Sequence, residues 1–430
     1  MNIAFFTLGC KVYQYETESL SEEFIKRGHT PVSESAPFDA VIINSCTVTA
    51  ESDRKTRQIL HRLRRENPNA AIVLTGCMVQ AFSEEAKELT AADVVVGNTD
   101  VLKTADLTEE FLRTGERIFY YTPHKQRDRF NTPDISDFAE RTRAYMKIED
   151  GCDRFCSYCI IPTARGFVRS KPIEDIKQEA KALSLRGYSE VVLVGINLSS
   201  YGKGEDINLC DAVDAVCTVE GIKRVRLGSL EPDHISDGML ERLKAQPKFC
   251  PQFHLSLQSG CDRTLKRMNR HYDTAFYTDL VERIRKMFPT AAITTDIMVG
   301  FAGETEEEFL ESVEYLKFIG FAKAHVFAYS RRSGTVAYGL PNQISRAEKS
   351  ERSRIMCRAA ADCEAEFYKK QVGTTQNVLF ETLENGRWVG YTENYLRVAV
   401  ETDENLCGEI KEVDIISATN DCLSGKLKEL

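Results

Sequence analysis

Three cysteines within eight residues, Cys152, Cys156 and Cys159, constrain this chain more than any other feature. They stand in the run Gly151-Cys152-Asp153-Arg154-Phe155-Cys156-Ser157-Tyr158-Cys159, directly after a stretch with strand character. Thiolates at C-x3-C-x2-C spacing can hold three corners of a [4Fe–4S] cube, and no fourth cysteine or histidine lies nearby to close the last corner. One iron is then open to another molecule. The competing reading is a zinc clip, but a closed structural zinc needs four ligands.

The chain has 430 residues and 14 cysteines. The length implies two or three domains. In a reducing compartment so many cysteines point to metal sites or catalysis rather than to disulfides. No apolar run approaches the roughly 18–20 residues of a membrane span. The start, MNIAFFTLGCKV, carries no basic leader or cleavage site and reads as a first strand, so a cytoplasmic protein without a membrane partner is expected. The net charge of −9 argues against a globally basic nucleic-acid binder and leaves room only for local basic surfaces.

Residues 1–100 alternate short apolar runs (3–8, 40–44, 71–75, 93–96) with helical patterns (16–27, 51–66, 83–89), which predicts a parallel α/β sheet. Residues 122–140 are polar, contain Pro123 and Pro133, and read as a linker. The alternation returns over 143–330, with strands expected at 144–148, 191–194, 224–227, 253–257, 293–298 and 324–328, separated by helices such as 173–186 and 306–319. Six such units predict an incomplete (β/α)6 barrel with its chemistry at the carboxyl ends of the strands. Residues 344–370 are helix-forming. After Gly373 the period becomes two, over 376–383, 388–391, 396–401 and 409–416, and Asn385-Gly386 is a hairpin turn. The fold class is therefore α/β with an all-β barrel at the end. The expected domains are 1–121, a linker at 122–140, 141–370 and 371–430.

A second cysteine set is dispersed. Cys10 follows the first strand in TLGCKV, Cys46 the second in INSCTVT, and Cys77 the third in LTGCMVQ. Loops after parallel strands gather at one crevice, so the three thiols are expected to converge. Three independent small core residues is the competing reading, since free cysteine is often buried. Cys210, Cys217, Cys250, Cys261, Cys357, Cys363, Cys407 and Cys422 show no such pattern and read as packing residues.

The C-x3-C-x2-C run with an aromatic before its last cysteine resembles the radical S-adenosylmethionine superfamily, which uses an incomplete six-unit barrel. There the open iron chelates the cosubstrate, and one electron breaks its S–C5′ bond to give a 5′-deoxyadenosyl radical. With three strand-end cysteines in front and a terminal β-barrel, nearly the whole chain resembles the methylthiotransferase family. That resemblance implies two [4Fe–4S] clusters, an auxiliary one carrying sulfide on Cys10, Cys46 and Cys77, and a terminal barrel of the RNA-associated TRAM type. It also implies two S-adenosylmethionine molecules, one as methyl donor and one as radical source. The segments TLGCKV-x-QYETE, CDRFCSYCIIPTARG, VGINLSSYG and HLSLQSGCDRTLKRMNRHY look like the branch acting on threonylcarbamoyladenosine in tRNA. The other branches act on isopentenyladenosine in tRNA or on a ribosomal-protein aspartate. Tyr13 stands where the first branch usually has asparagine. The implied reaction installs a methylthio group on C2 of adenine, next to the anticodon of tRNAs reading ANN codons. That C–H bond is unactivated, which is the chemical reason for a radical cofactor. A non-catalytic iron–sulfur or zinc RNA-binding protein is the remote alternative.

Within this resemblance, strand-end residues are the expected cosubstrate contacts: Tyr158, Gly195, Asn197, Ser229, Glu231, Gln258, Ser259, Val299 and Gly300, each of which is otherwise a turn residue. Arg54, Arg57, Arg165, Arg169, Arg267, Arg270, Arg331 and Arg332 are the expected tRNA contacts, against the alternative of a solvated charged face. Tyr391 and Tyr395 could stack bases, and Trp388 is expected to pack the final barrel. An external electron donor of flavodoxin or ferredoxin type and a monomeric state are also implied.

Overall fold

A computed structural model describes residues 1–126, 128–135 and 142–428. Residues 127 and 136–140 of the expected linker, residue 141 at the expected start of the second domain, and residues 429–430 lie outside the described residues.

The first domain is a parallel sheet of β1 (Asn2–Thr7), β2 (Thr30–Val32), β3 (Ala40–Ser45), β4 (Ala71–Gly76), β5 (Val94–Val96) and β6 (Ile118–Tyr120), in the order β2-β1-β3-β4-β5-β6. β3 and β4 are buried along their whole length, as strands covered on both faces must be. One face packs Leu20 and Phe24 of α1 (Lys11–Lys26). The opposite face packs Leu60 and Leu63 of α2 (Ala50–Glu66). The short edge strands β2 and β6 were not foreseen, because three residues are too few to show a period.

The second domain carries β7 (Arg143–Lys147), β8 (Glu149–Asp150), β9 (Arg169–Ser170), β10 (Glu190–Val194), β11 (Arg224–Leu227), β12 (Ser229–Leu230), β13 (Gln252–Leu255), β14 (Ala292–Val299) and β15 (Lys323–Ala328). Parallel pairing runs β11-β10-β7 and β12-β13-β14-β15. Only Gly228 separates β11 from β12, and its N–H donates to the Leu193 carbonyl at 2.8 Å. The two ladders are thus one six-strand wall bent at Gly228, open between β7 and β15, which is the expected incomplete barrel. Val12 and Tyr15 of α1 join its core on the β7 side. Met356, Ala359 and Ala360 of the helix Arg346–Lys369 join it beside β15.

The chain ends in a closed barrel of β16 (Thr375–Glu384), β17 (Arg387–Thr392), β18 (Arg397–Val400), β19 (Ile410–Ala418) and β20 (Leu423–Leu427), ordered β16-β17-β18-β20-β19. Asn385 and Gly386 have φ of 51° and 77°, the left-handed pair that a two-residue hairpin turn requires. Trp388 packs against the barrel core. β20 was not foreseen, because LSGKL has one strong strand former among small and charged residues. Arg224 and Arg226 anchor this barrel to the starts of the second domain's strands by donating to the carbonyls of Asn377 (2.7 Å) and Glu393 (2.8 Å). Cys357 and Cys407 are exposed, so these two do not pack as expected. No helix among the described residues is long and apolar enough to cross a membrane.

Candidate functional site

The carboxyl ends of β1, β3 and β4 lie side by side, since these strands are neighbours in the sheet. Cys10 caps α1, Cys46 follows β3, and Cys77 opens the short helix Cys77–Ala81. Strand order reverses between β1 and β3, the place where open α/β sheets bind ligands. Cys46 and Cys77 share a small buried cluster with Tyr13 and Ala164, and Cys10 stands exposed beside them. Burial pushes the Cys77 thiol up to about 12, against the pull of the Arg165 guanidinium. Their topological positions thus bring Cys46 and Cys77 into one cluster, with Cys10 at its exposed edge near enough to act on the Cys46 thiol.

Cys152, Cys156 and Cys159 lie on the loop after β8 and line one hollow with Pro162, Gly166 and Thr335. Burial pushes the Cys152 thiol up to about 12, and the neighbouring Cys156 adds to the effect. The loop's shape rests on Gly151. Its φ is +89°, and a Cβ there would stand 2.0 Å from the Phe167 carbonyl oxygen. Gly151→Ala is expected to cost about 1–3 kcal/mol from the conformation alone, to shift the loop, and to lower bound iron. Iron analysis with thermal unfolding tests this, and wild-type values for both would count against it.

Both thiol sets receive a buried guanidinium. Arg165 Nε donates to Cys77 Sγ at 3.0 Å, and Arg270 Nη1 donates to Cys156 Sγ at 3.1 Å. Arg165 is also paired with Glu16, and Arg270 with Glu231. Arg169 is buried against Asp150 (3.1 Å), and Arg332 against Asp53 (2.7 Å) and Thr47 (2.7 Å). These four arginines were expected at an RNA surface. Their side chains are spent on internal carboxylates, which corrects that expectation: they join domains or steady cysteine loops. Arg267 is partly exposed on Glu308, and Arg331 lies over the Tyr338 ring at 4.2 Å. Arg54 and Arg57 remain exposed on α2, lining a shallow basic groove with His61, Arg62 and Arg65.

A cavity of about 580 Å³ occupies the barrel between these elements. Cys10 and Lys11 line it from the first domain, Gly195, Ser229, His254, Asp296 and His325 from the barrel, and Tyr391, Tyr395 and Arg397 from the terminal domain. His254 binds Asp296 (3.3 Å) and Thr294 (3.0 Å). Burial lowers the His325 pKa, and His254 beside it lowers it further. Tyr391 and Tyr395 stack on each other at 5.0 Å with the Arg143 guanidinium over both rings, so they stack among themselves in this structure. Lys11, His254 and His325 were missed by sequence reasoning. A lone lysine or histidine carries no signal until the fold sets it in a cavity.

The expected cosubstrate residues do sit at strand ends. Tyr158 meets Phe301 edge-on at 6.4 Å. Gly195 leaves room only for the Glu149 side chain, whose carboxylate also accepts from Asn197 N–H at 2.7 Å. Ser229 faces the cavity, and Glu231 holds Arg270. Gln258 has φ of 70°, Ser259 is buried, and Val299 ends β14 before Gly300, whose N–H donates to Glu304 at 2.7 Å. Asn197 Oδ1 and Glu149 Oε1 are buried without partners among the described residues.

Cys152, Cys156 and Cys159 surround one hollow, a donor set that suits a cluster held at three corners. Among the described residues no three His, Cys, Asp or Glu side chains stand close enough to share one metal ion.

Family models match the chain as follows: the radical SAM superfamily over 146–316, the uncharacterized protein family UPF0004 over 2–97, and the TRAM domain over 369–428. A Bacillus subtilis protein named threonylcarbamoyladenosine tRNA methylthiotransferase MtaB is 37% identical over 97% of this chain and 94% of its own. A Clostridium perfringens protein named tRNA-2-methylthio-N(6)-dimethylallyladenosine synthase is 33% identical over 98% and 97%. Among solved structures, the radical S-adenosylmethionine methyltransferase TsrM from Kitasatospora setae matches with a TM-score of 0.58 at 11% identity, covering 87% of this chain and 80% of that one. At that identity the match speaks for the fold alone.

Proposed function

This chain belongs to the radical S-adenosylmethionine methylthiotransferases, and we propose that it methylthiolates C2 of N6-threonylcarbamoyladenosine at position 37 of tRNAs reading ANN codons. In this reading residues 1–121 hold the auxiliary cluster, 122–140 link, 141–370 form the radical domain and 371–430 form the TRAM barrel. Cys152, Cys156 and Cys159 would hold a [4Fe–4S] cluster, which together with S-adenosylmethionine would supply the one-electron chemistry that removes the C2 hydrogen. Cys10, Cys46 and Cys77 hold a second. Two S-adenosylmethionine molecules are used per turnover, and electrons come from an external flavodoxin- or ferredoxin-type donor. The protein acts as a monomer in the cytoplasm, where tRNA is found.

One observation carries the reading. Arg165, on the helix Ile161–Arg165 just after the radical cysteines, reaches the Cys77 thiol of the other set. A residue of the radical cysteine segment thus touches a thiol of the other set, which supports the reading, and Cys10 lines the barrel cavity. The protein's own groups supply orientation and dryness there. Arg270 and Arg165 steady the cysteine loops, Glu149 and Asn197 present polar atoms to the cosubstrate, and the apolar barrel wall excludes water. Arg54, Arg57, Arg267 and Arg331 remain as surface contacts for phosphate.

Mass spectrometry of tRNA nucleosides from cells lacking the gene tests this. Loss of 2-methylthio-N6-threonylcarbamoyladenosine, with its unthiolated precursor accumulating, is expected. An unchanged level would sink the reading. Loss of the isopentenyl product instead would move the chain to the other tRNA branch.

A further inference from the structure

Of the three lysines and arginines that line the barrel cavity, Lys323 and Arg397 are ion-paired and Lys11 is not. Lys323 meets Glu364 at 3.1 Å, His254 meets Asp296 at 3.3 Å, and Arg397 meets Glu384 at 2.6 Å. Lys11 has no ion pair or hydrogen bond among the described residues. Its ammonium instead lies 5.8 Å from the centroids of both the Tyr145 and the Tyr395 rings. Ring faces steady a cation but do not neutralise it. Glu190 acts on the Lys11 ammonium only from beyond ion-pair distance and is already paired with Arg224 and Arg226, so an ammonium largely withdrawn from water still gains from an incoming anion.

Its position defines the anion. Lys11 is the first residue of α1, next to Cys10, and both line the same cavity. Whatever binds Lys11 therefore lies beside the first domain's thiol set and inside the barrel. The wall around it is apolar at Val12, Leu227, Ala292 and Ala322. A space of about 580 Å³ lined from three domains suits a single base with an acidic side arm. N6-threonylcarbamoyladenosine has one such arm, since its amino acid is joined through nitrogen and keeps a free carboxylate.

We propose that the Lys11 ammonium binds the carboxylate of the threonylcarbamoyl group, and that this ion pair sets the enzyme's choice of substrate. The assignment rests on the function proposed above and deepens it. Isopentenyladenosine offers no anion, and filling the site with it would leave the ammonium buried and unpaired. A site built around a polar partner rejects the analogue that lacks it. No covalent step is involved: the ion pair holds the base while C2 faces the thiol-bearing domain.

The test uses the full chain, reconstituted anaerobically, with four anticodon stem-loops carrying N6-threonylcarbamoyladenosine, its methyl ester, isopentenyladenosine or plain adenosine at position 37. Wild-type protein is expected to bind the acid more tightly than the ester by on the order of 10- to 100-fold, the usual worth of a hydrogen bond to a charged group. Lys11→Met is expected to erase that preference, to leave binding of the adenosine loop unchanged, and to leave S-adenosylmethionine affinity unchanged. Three results would overturn the assignment: a wild type indifferent to the ester, a Lys11→Met protein that keeps the preference, or an equal fall in S-adenosylmethionine affinity, which would give the ammonium to the cosubstrate's carboxylate. If Lys11→Met fails to load iron, Lys11→Gln makes the same comparison, and the ester result on wild-type protein stands regardless. The two readings fail separately. A wild type that methylthiolates only an isopentenyladenosine loop defeats the proposed function. A wild type that methylthiolates the acid loop, with the preference intact in Lys11→Met, defeats only the Lys11 assignment.

Discussion

Glu16→Gln is expected to loosen the first domain from the barrel and to cost about 3–5 kcal/mol, the usual price of removing one partner from a buried ion pair. Glu16 is 3% exposed. It accepts from Lys147 Nζ at 2.6 Å and holds the Arg165 guanidinium with both oxygens, the longer bond at 2.9 Å. Lys147 and Arg169 also reach Asp150, at 2.7 and 3.1 Å. Three buried cations thus share two carboxylates across the domain interface, and losing Glu16 leaves them with one. Arg165 would then lose the anchor that aims its Nε at Cys77, so iron bound by the first domain should fall as well.

The same network sets an acid limit. Burial by itself raises the Glu16 carboxyl, but Arg165 and Lys147 outweigh it and hold it below the usual carboxylate range. Asp150 is held low in the same way by Lys147, Arg165 and Arg169. Carboxyls depressed in the folded state stabilise fully above the unfolded value of about 4. Their contribution is lost as the pH falls through the depressed folded values. The wild type should therefore lose interface stability below about pH 4, and Glu16→Gln should be weaker at neutral pH with a shallower acid limb. Urea midpoints of the transition involving the first two domains, taken from pH 3 to pH 7, measure both effects. A variant within 1 kcal/mol of wild type at pH 7 would show that the network is not what joins the domains.

The second large effect separates the two cysteine sets. Cys152→Ala is expected to abolish 5′-deoxyadenosine formation from S-adenosylmethionine and dithionite. Cys77→Ala is expected to keep that reaction and to lose methylthio transfer entirely. The difference follows from position. Cys152 belongs to the hollow that also holds Cys156 and Cys159, with no spare cysteine in its lining. Cys77 is fully buried in the other domain, touched by Arg165 and by Asn98 Nδ2 at 3.6 Å. Each variant should also lose part of the bound iron and sulfide. Should Cys77→Ala keep both its iron and its methylthio transfer, the first-domain cysteines would be ordinary packing residues, the alternative that their sequence positions left open.

Much of this molecule was legible in advance because its signals are short-range. Apolar runs of period two or of strand length marked most of the barrel strands to within a few residues, though not β20, and 224–227 and 306–319 coincide with a strand and a helix as observed. The glycine before Cys152 is readable as a turn, but its reason, the Phe167 carbonyl 2.0 Å from any Cβ, belongs to chain segments sixteen residues apart. Arginine was the weakest guide. Sequence shows a charge but not its partner, so Arg165, Arg169, Arg270 and Arg332 resembled a nucleic-acid surface while each had a carboxylate waiting on another element.

By itself the sequence determined which thiols could carry clusters and that two of the three domains are built from parallel strands, since spacing and periodicity are local properties. Only the tertiary structure decided which charges are buried, that Arg165 of the second domain reaches the Cys77 thiol of the first, and that Lys11 faces the barrel cavity without an ion-pair partner among the described residues. Those depend on how separate domains dock, and pairing energies between residues more than a hundred positions apart leave no mark on either one's neighbours in the chain.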